Sequence, residues 1–131
     1  MKKSVLLFTA LFVILAMMLA ACGGGATEES AQEAEADCAS EEVFCIGLVT
    51  DVGEVDDKSF NQSAWEGVQQ AGTALGAAKV EYIETGDAKD YGANIDLFAG
   101  QNYDVIVTVG FALGEATGEA AAKYPEIDFV G

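Results

Sequence analysis

The sequence predicts an α/β fold, an open parallel sheet with helices on both faces. Three observations predict it. Apolar runs rich in Val, Ile, Tyr and Phe recur through residues 43–131, stretches with helical spacing separate them, and short turns join the two kinds of segment. Strand, helix, strand repeated in this way means parallel strands linked by right-handed crossovers. The first strand is Val43 to Thr50 (VFCIGLVT) and the third is Tyr103 to Val109 (YDVIVTV), both nearly continuous in apolar residues. Such runs suit strands covered on both faces. The second is Lys79 to Glu84 (KVEYIE), and the fourth is Asp128 to Val130, where the sequence stops at Gly131.

Between the first two strands, Phe60, Ala64, Val68, Ala71 and Leu75 recur at steps of four and three, with Gln62, Glu66 and Gln69 pointing elsewhere. They predict a helix with one apolar stripe, closed at Leu75-Gly76. Tyr91, Ile95 and Phe98 form a second stripe, and Leu113, Ala116, Ala120 and Tyr124 a third, ended by Pro125. The fourth strand has barely begun at Gly131, with no closing helix and no opposite wall for a crevice. The expectation is a lobe cut short, the first part of a longer protein.

Composition narrows the function. There are 22 Asp+Glu against 6 Lys+Arg among 131 residues, a net charge of −16 and no His. Few cations are available to replace the counterions of a phosphate backbone, so nucleic acid is a poor partner. The lack of His removes the commonest general base and the usual partner of a Ser or Cys nucleophile. Most hydrolase chemistry is thereby disfavoured, and no cofactor is implied.

Residues 1–21 read as an export signal: Lys2 and Lys3 form a positive start and Val5 to Ala21 an uncharged apolar run. A membrane-spanning helix is the alternative, since the run is marginally long enough. Leu19-Ala20-Ala21-Cys22 resembles a bacterial lipobox, in which cleavage before Cys22 is followed by lipidation of its thiol. Residues 22–42 then read as the lipidated Cys and an acidic tether. From Gly23 to Glu42 there is no aromatic and no large aliphatic side chain to offset the entropy of ordering. Cys38 and Cys45 stand at the junction of tether and first strand; outside the cytoplasm they could form a disulfide, or remain two free thiols. The folding part is residues 43–131.

In open parallel sheets ligands bind beyond the carboxyl ends of the strands. This directs attention to Asp51–Phe60, Thr85–Tyr91 and Gly110–Glu115. In the first segment Asp57 or Ser59 suits a helix N-cap. Phe60 follows, flanked by Asp51, Ser59 and Asn61. Its ring could stack on a planar ligand, or it could be the first packing residue of the helix stripe. Periodicity alone favours packing. Asp51, Asp56 and Asp57 carry oxygen ligands suited to hard cations, but their spacing fits no EF-hand loop, so no metal site is assigned. Gly110, Gly114 and Gly118 lack the order of a dinucleotide turn. Phe111 lies beside Gly110 at the same sheet edge as Phe60.

The stretch IGLVTDVGEVDDKSFNQSAWEGVQQA resembles the opening of the basic membrane protein family, substrate-binding lipoproteins of bacterial ABC importers similar to purine nucleoside receptors. The likeness continues through Tyr82-Ile83-Glu84, Asp90-Tyr91, YDVIVTVGFAL and KYPEIDFVG, and departs at Glu54, where the family commonly has a second Gly. The resemblance implies the N-terminal lobe of a type 1 periplasmic-binding-protein fold. It implies that Phe60 stacks on a nucleobase, that Asp51, Ser59 and Asn61 hydrogen-bond ligand edges, and that Gly110 and Phe111 line the cleft. The remaining contacts would lie beyond Gly131.

The function expected from this reading is an extracytoplasmic solute-binding lipoprotein, anchored in the cell membrane, that delivers a small neutral ligand such as a nucleoside to ABC permease subunits. No reaction is expected. The alternative is an exported sensor of the same fold that signals to a membrane partner; neighbouring permease and ATPase genes would favour transport.

Overall fold

A computed structural model describes residues 36–131. The export signal over residues 1–21, the lipidation site Cys22 and most of the 22–42 tether lie outside the described residues. Four parallel strands make one sheet, in the order β2-β1-β3-β4: β1 is Cys45–Val52, β2 Lys79–Thr85, β3 Val105–Thr108 and β4 Asp128–Val130. Three helices link them: α1 is Phe60–Leu75, α2 Tyr91–Ala99 and α3 Gly114–Lys123. Single 3₁₀ turns at Ala88–Asp90 and Phe111–Leu113 lead into the second and third helices. The predicted α/β class and parallel connections hold.

β1 is one of the two inner strands, and its side chains alternate between two buried faces. Cys45 and Val49 join Tyr91, Ile95, Phe98, Tyr103, Ile106, Leu113 and Ala120 in the larger core under α2 and α3. Ile46 and Leu48 point the other way, to Val68 and Val109 under α1. Burial on both faces is why this strand reads as an unbroken apolar run. Gly47 serves the larger core by having no side chain, because a Cβ there would stand 2.7 Å from Cγ of Phe98.

The strand boundaries move for local reasons. β1 starts at Cys45 rather than Val43, because the Val43 N–H donates to the Ser40 carbonyl in a turn. It continues to Val52 through a register shift after Val49. Buried Thr50 bridges that irregularity: its hydroxyl accepts from the Thr85 N–H at 3.0 Å and donates to the Gly53 carbonyl at 3.2 Å. Tyr103 stays outside β3, since its N–H still donates to the Phe98 carbonyl at the end of α2.

The folded unit also begins ahead of Val43. Ala36–Gly131 form one compact unit. Residues 38–42 are turns, and Cys38 is buried against the larger core. Cys38 is bonded to Cys45, with Cα atoms 5.8 Å apart, so the end of the segment read as tether is fastened to β1.

The stripe of α1 is rotated from the expected one. Asn61, Val68 and Gly72 are buried, with Ala64 and Trp65 partly so, while Phe60, Ala71 and Leu75 are exposed. Gly72 allows this face to lie close to β2, since a Cβ at this position would meet Cγ2 of Val80 at 2.5 Å. Hydropathy periodicity cannot register a buried Asn and Gly. The predicted stop is in place, with Gly76 left-handed at φ 72° and its N–H donated to the Gly72 carbonyl.

Candidate ligand-binding site

The carboxyl ends of β1 and β3 and the start of α1 enclose a cleft of about 510 Å³ lined by Asp51, Val52, Asp57, Phe60, Asn61, Ser63, Ala64, Val109, Gly110 and Phe111. That volume is within the usual range for small-molecule sites, and the position follows the strand-end rule. Two of the lining residues are acidic and none is basic.

The helix start is held by Asp57 rather than by Ser59. Asp57 Oδ1 accepts from the N–H groups of Ser59 at 2.7 Å and Gln62 at 3.2 Å, and Oδ2 from that of Asn61 at 3.4 Å. Desolvation pushes this carboxyl upward, but the N–H donors of Gln62, Ser59 and Asn61 outweigh it and hold the group below its usual value. Ser59 makes no side-chain capping bond and does not line the cleft. Ser63, one turn later, does, and its hydroxyl donates to the Ser59 carbonyl.

This cap delivers Phe60 to the first turn with 80% of its surface exposed. It is not a packing residue of the helix. Phe111, the first residue of the 3₁₀ turn that follows β3, is 100% exposed. Both rings border the same cleft. Asn61 is 4% exposed; its Nδ2 donates to the Glu54 carbonyl at 3.3 Å, and its Oδ1 has no hydrogen-bond partner among the described residues. The side chain therefore holds the Gly53-Glu54 turn, while its free acceptor is enclosed.

Asp51 lies across from these rings at the end of β1. Its Oδ1 accepts from the Val52 N–H at 2.7 Å and from the Tyr91 hydroxyl. Oδ2 faces Gly110, where a Cβ would come within 2.8 Å of it. Gly110 also has φ 95°, a conformation that L side chains rarely adopt. Glycine is thus required twice over, by the backbone and by the carboxylate.

Of the six expected ligand residues, Asp51, Phe60, Asn61, Gly110 and Phe111 line one cleft, and Ser59 stands outside it. Val52, Ser63, Ala64 and Val109 were not foreseen there, nor was the bond from Tyr91. Their apolar or small side chains carry no chemical signature, and Tyr91, although it closes the strand-end segment Thr85–Tyr91, has its helix stripe as its one assigned role in the sequence. Among the described residues, no three Cys, Asp or Glu side chains form a cluster able to hold a metal ion.

Residues 45–131 match the Bmp family, described as ABC transporter substrate-binding protein PnrA-like. A CD4+ T-cell-stimulating antigen of Listeria innocua serovar 6a is 32% identical over 98% of this chain and 36% of its own length. The ABC transporter nucleoside-binding protein BmpA of Lactococcus lactis subsp. cremoris is 32% identical over 99% of this chain and 36% of its own length. An ABC transporter system solute-binding protein from Aeropyrum pernix K1 superimposes with a TM-score of 0.54 at 27% identity, covering 66% of this chain and 23% of that one. The chain spans 36% of the length of the two relatives. The match over residues 45–131 covers most of the chain, which belongs to the Bmp family of PnrA-like ABC transporter substrate-binding proteins.

Proposed function

We propose that the complete protein is a lipid-anchored extracytoplasmic receptor that binds a purine nucleoside and passes it to the permease subunits of an ABC importer. The observation that carries this reading is the exposure of Phe60 at the mouth of the cleft, 80% open to solvent at a helix start that a polar residue would serve as well. A flat ring held there can stack on a nucleobase, and Phe111 borders the same space. Asp51 Oδ2 accepts a hydrogen bond from an O–H or N–H of the ligand. With acidic and no basic residues in the lining, a neutral nucleoside suits the cleft better than a nucleotide. The name of the Lactococcus relative, a nucleoside-binding protein, supports the ligand class. Lipidation at Cys22 would hold the receptor on the outer face of the cell membrane. The role requires binding and release, and no bond is made or broken.

The test is calorimetry of the full-length protein with inosine, adenosine and guanosine. Phe60→Ala should weaken binding by about 1 to 3 kcal/mol, the contribution of one stacked base. An affinity unchanged by the substitution would remove Phe60 from the ligand contacts.

A further inference from the structure

Tyr91 has two distinct parts in this fold. Its ring is buried in the larger core with Ile95 and Phe98, a role that Phe would fill equally well. The hydroxyl is additional, and it donates to Oδ1 of Asp51 across 40 residues of sequence. Oδ1 also takes the Val52 N–H at 2.7 Å. Two donors thus converge on one oxygen, while Oδ2 has no hydrogen-bond partner among the described residues and faces the bare Cα of Gly110.

We infer that Tyr91 is a positioning residue of the cleft: it fixes one oxygen of Asp51 so that the other is presented, in a set orientation, to a hydrogen-bond donor on the ligand. The inference rests on the proposed role of Asp51 as a ligand acceptor. If Asp51 served only to satisfy a buried tyrosine hydroxyl, nothing would require the opposite oxygen to be left open beside a glycine.

The placement of Tyr91 is itself well determined. The Asp87 carboxylate accepts from the Lys89 N–H at 3.0 Å and starts the 3₁₀ turn that leads into α2 at Tyr91. One turn into the helix, Asn94 Nδ2 donates to the hydroxyl of buried Thr85 at 3.0 Å, tying α2 to the end of β2. The bond to Asp51, followed by desolvation, raises the phenol above its ordinary range, so the proton stays on Tyr91 and the donation runs toward the carboxylate.

The experiment is a double-mutant cycle on the full-length protein, with inosine as the probe, using Tyr91→Phe, Asp51→Asn and the pair. Tyr91→Phe should lower inosine affinity on the order of tenfold in the unaltered background, the range for a bond to a charged group. In the Asp51→Asn background the same change should cost less than about twofold. A second readout needs no ligand. The ¹³C resonance of the Asp51 carboxylate, identified by its loss in Asp51→Asn, should shift in Tyr91→Phe, and a thermal melt shows whether the fold is kept. An equal loss of affinity in both backgrounds, or an unmoved carboxylate resonance, overturns the inference. The two readings fail separately: a shifted resonance in a protein that binds no nucleoside supports Tyr91 as the residue that fixes Asp51 and overturns the nucleoside assignment alone.

Discussion

The two ends of the sheet differ in whether they leave aromatic rings exposed. At the amino end, Phe98 and Tyr103 are almost wholly buried with ring centroids 4.6 Å apart, and the Cys38–Cys45 bond closes the edge beside them. Asp104 seals the same end by accepting the Cys45 N–H at 2.7 Å. At the carboxyl end, Phe60 and Phe111 face solvent together across a cleft. Single exposed apolar residues are ordinary on protein surfaces. Two large rings on one concave surface, next to a carboxylate with a free oxygen, are what a binding site needs and what folding alone would bury. Under the proposed function one end keeps the fold and the other takes the ligand, so substitutions at the two ends should separate stability from affinity.

Phe98→Ala should have the largest effect. The ring fills the space above Gly47, lies against Tyr103 and is almost wholly buried. A loss of about 3 to 5 kcal/mol is expected in urea unfolding, the usual cost of deleting a buried phenyl group. Phe60→Ala, by contrast, should leave the unfolding free energy within about 0.5 kcal/mol of the unaltered protein. If the two substitutions cost equal stability, the division between the ends is wrong.

Next in size is removal of the disulfide. The bond closes a loop between residues seven positions apart, for which chain entropy predicts roughly 2 to 3 kcal/mol. Replacing Cys38 and Cys45 together with Ser should lower stability by that amount and make it insensitive to reductant. Inosine affinity of the full-length protein should not change, because the bond is at the opposite end of β1 from Asp51. A loss of affinity as large as that of Phe60→Ala would mean that the amino end controls the cleft.

Much of this division was legible in the sequence, for reasons that particular residues make clear. β1 is legible because both its faces are covered, and the strand-end rule places Asp51, Phe60 and Phe111 at one sheet edge. Two things were hidden. The buried face of α1 contains Asn61 and Gly72, which hydropathy counts as breaks in a stripe, so the periodicity settled on Phe60 and Leu75 instead. Tyr91 matched its stripe so well that its ring explained the residue, and the hydroxyl's bond to Asp51 depends on a crossover that spacing does not contain. The same limit applies to Ser59: its sequence neighbours are cleft residues, but the helix turn directs Ser63 there instead.

The smallest expected effect concerns acid. The carboxyl end is assembled on carboxylates that cap backbone N–H groups: Asp57 at the start of α1 and Asp87 at the turn before α2. Asp87 is held below its usual value by the Lys89 N–H, then by the Lys89 ammonium, and Asp57 is lowered as described above. A folded value below the unfolded one means that the capping contribution is complete above the unfolded value and is lost as pH falls through the folded one. Both groups are open to solvent, so the effect is local rather than a global unfolding. In an NMR titration from about pH 6 to about pH 2.5, the amide signals of Ser59, Gln62 and Lys89 should move in the acid part of the range, with midpoints below the ordinary carboxylate value. Amides in the middle of β1, such as Leu48, should stay still over the same interval. Movement of Leu48 together with Ser59 would show that acid loosens the whole sheet, and the two ends would then be one cooperative unit rather than a rigid end and an adjustable one.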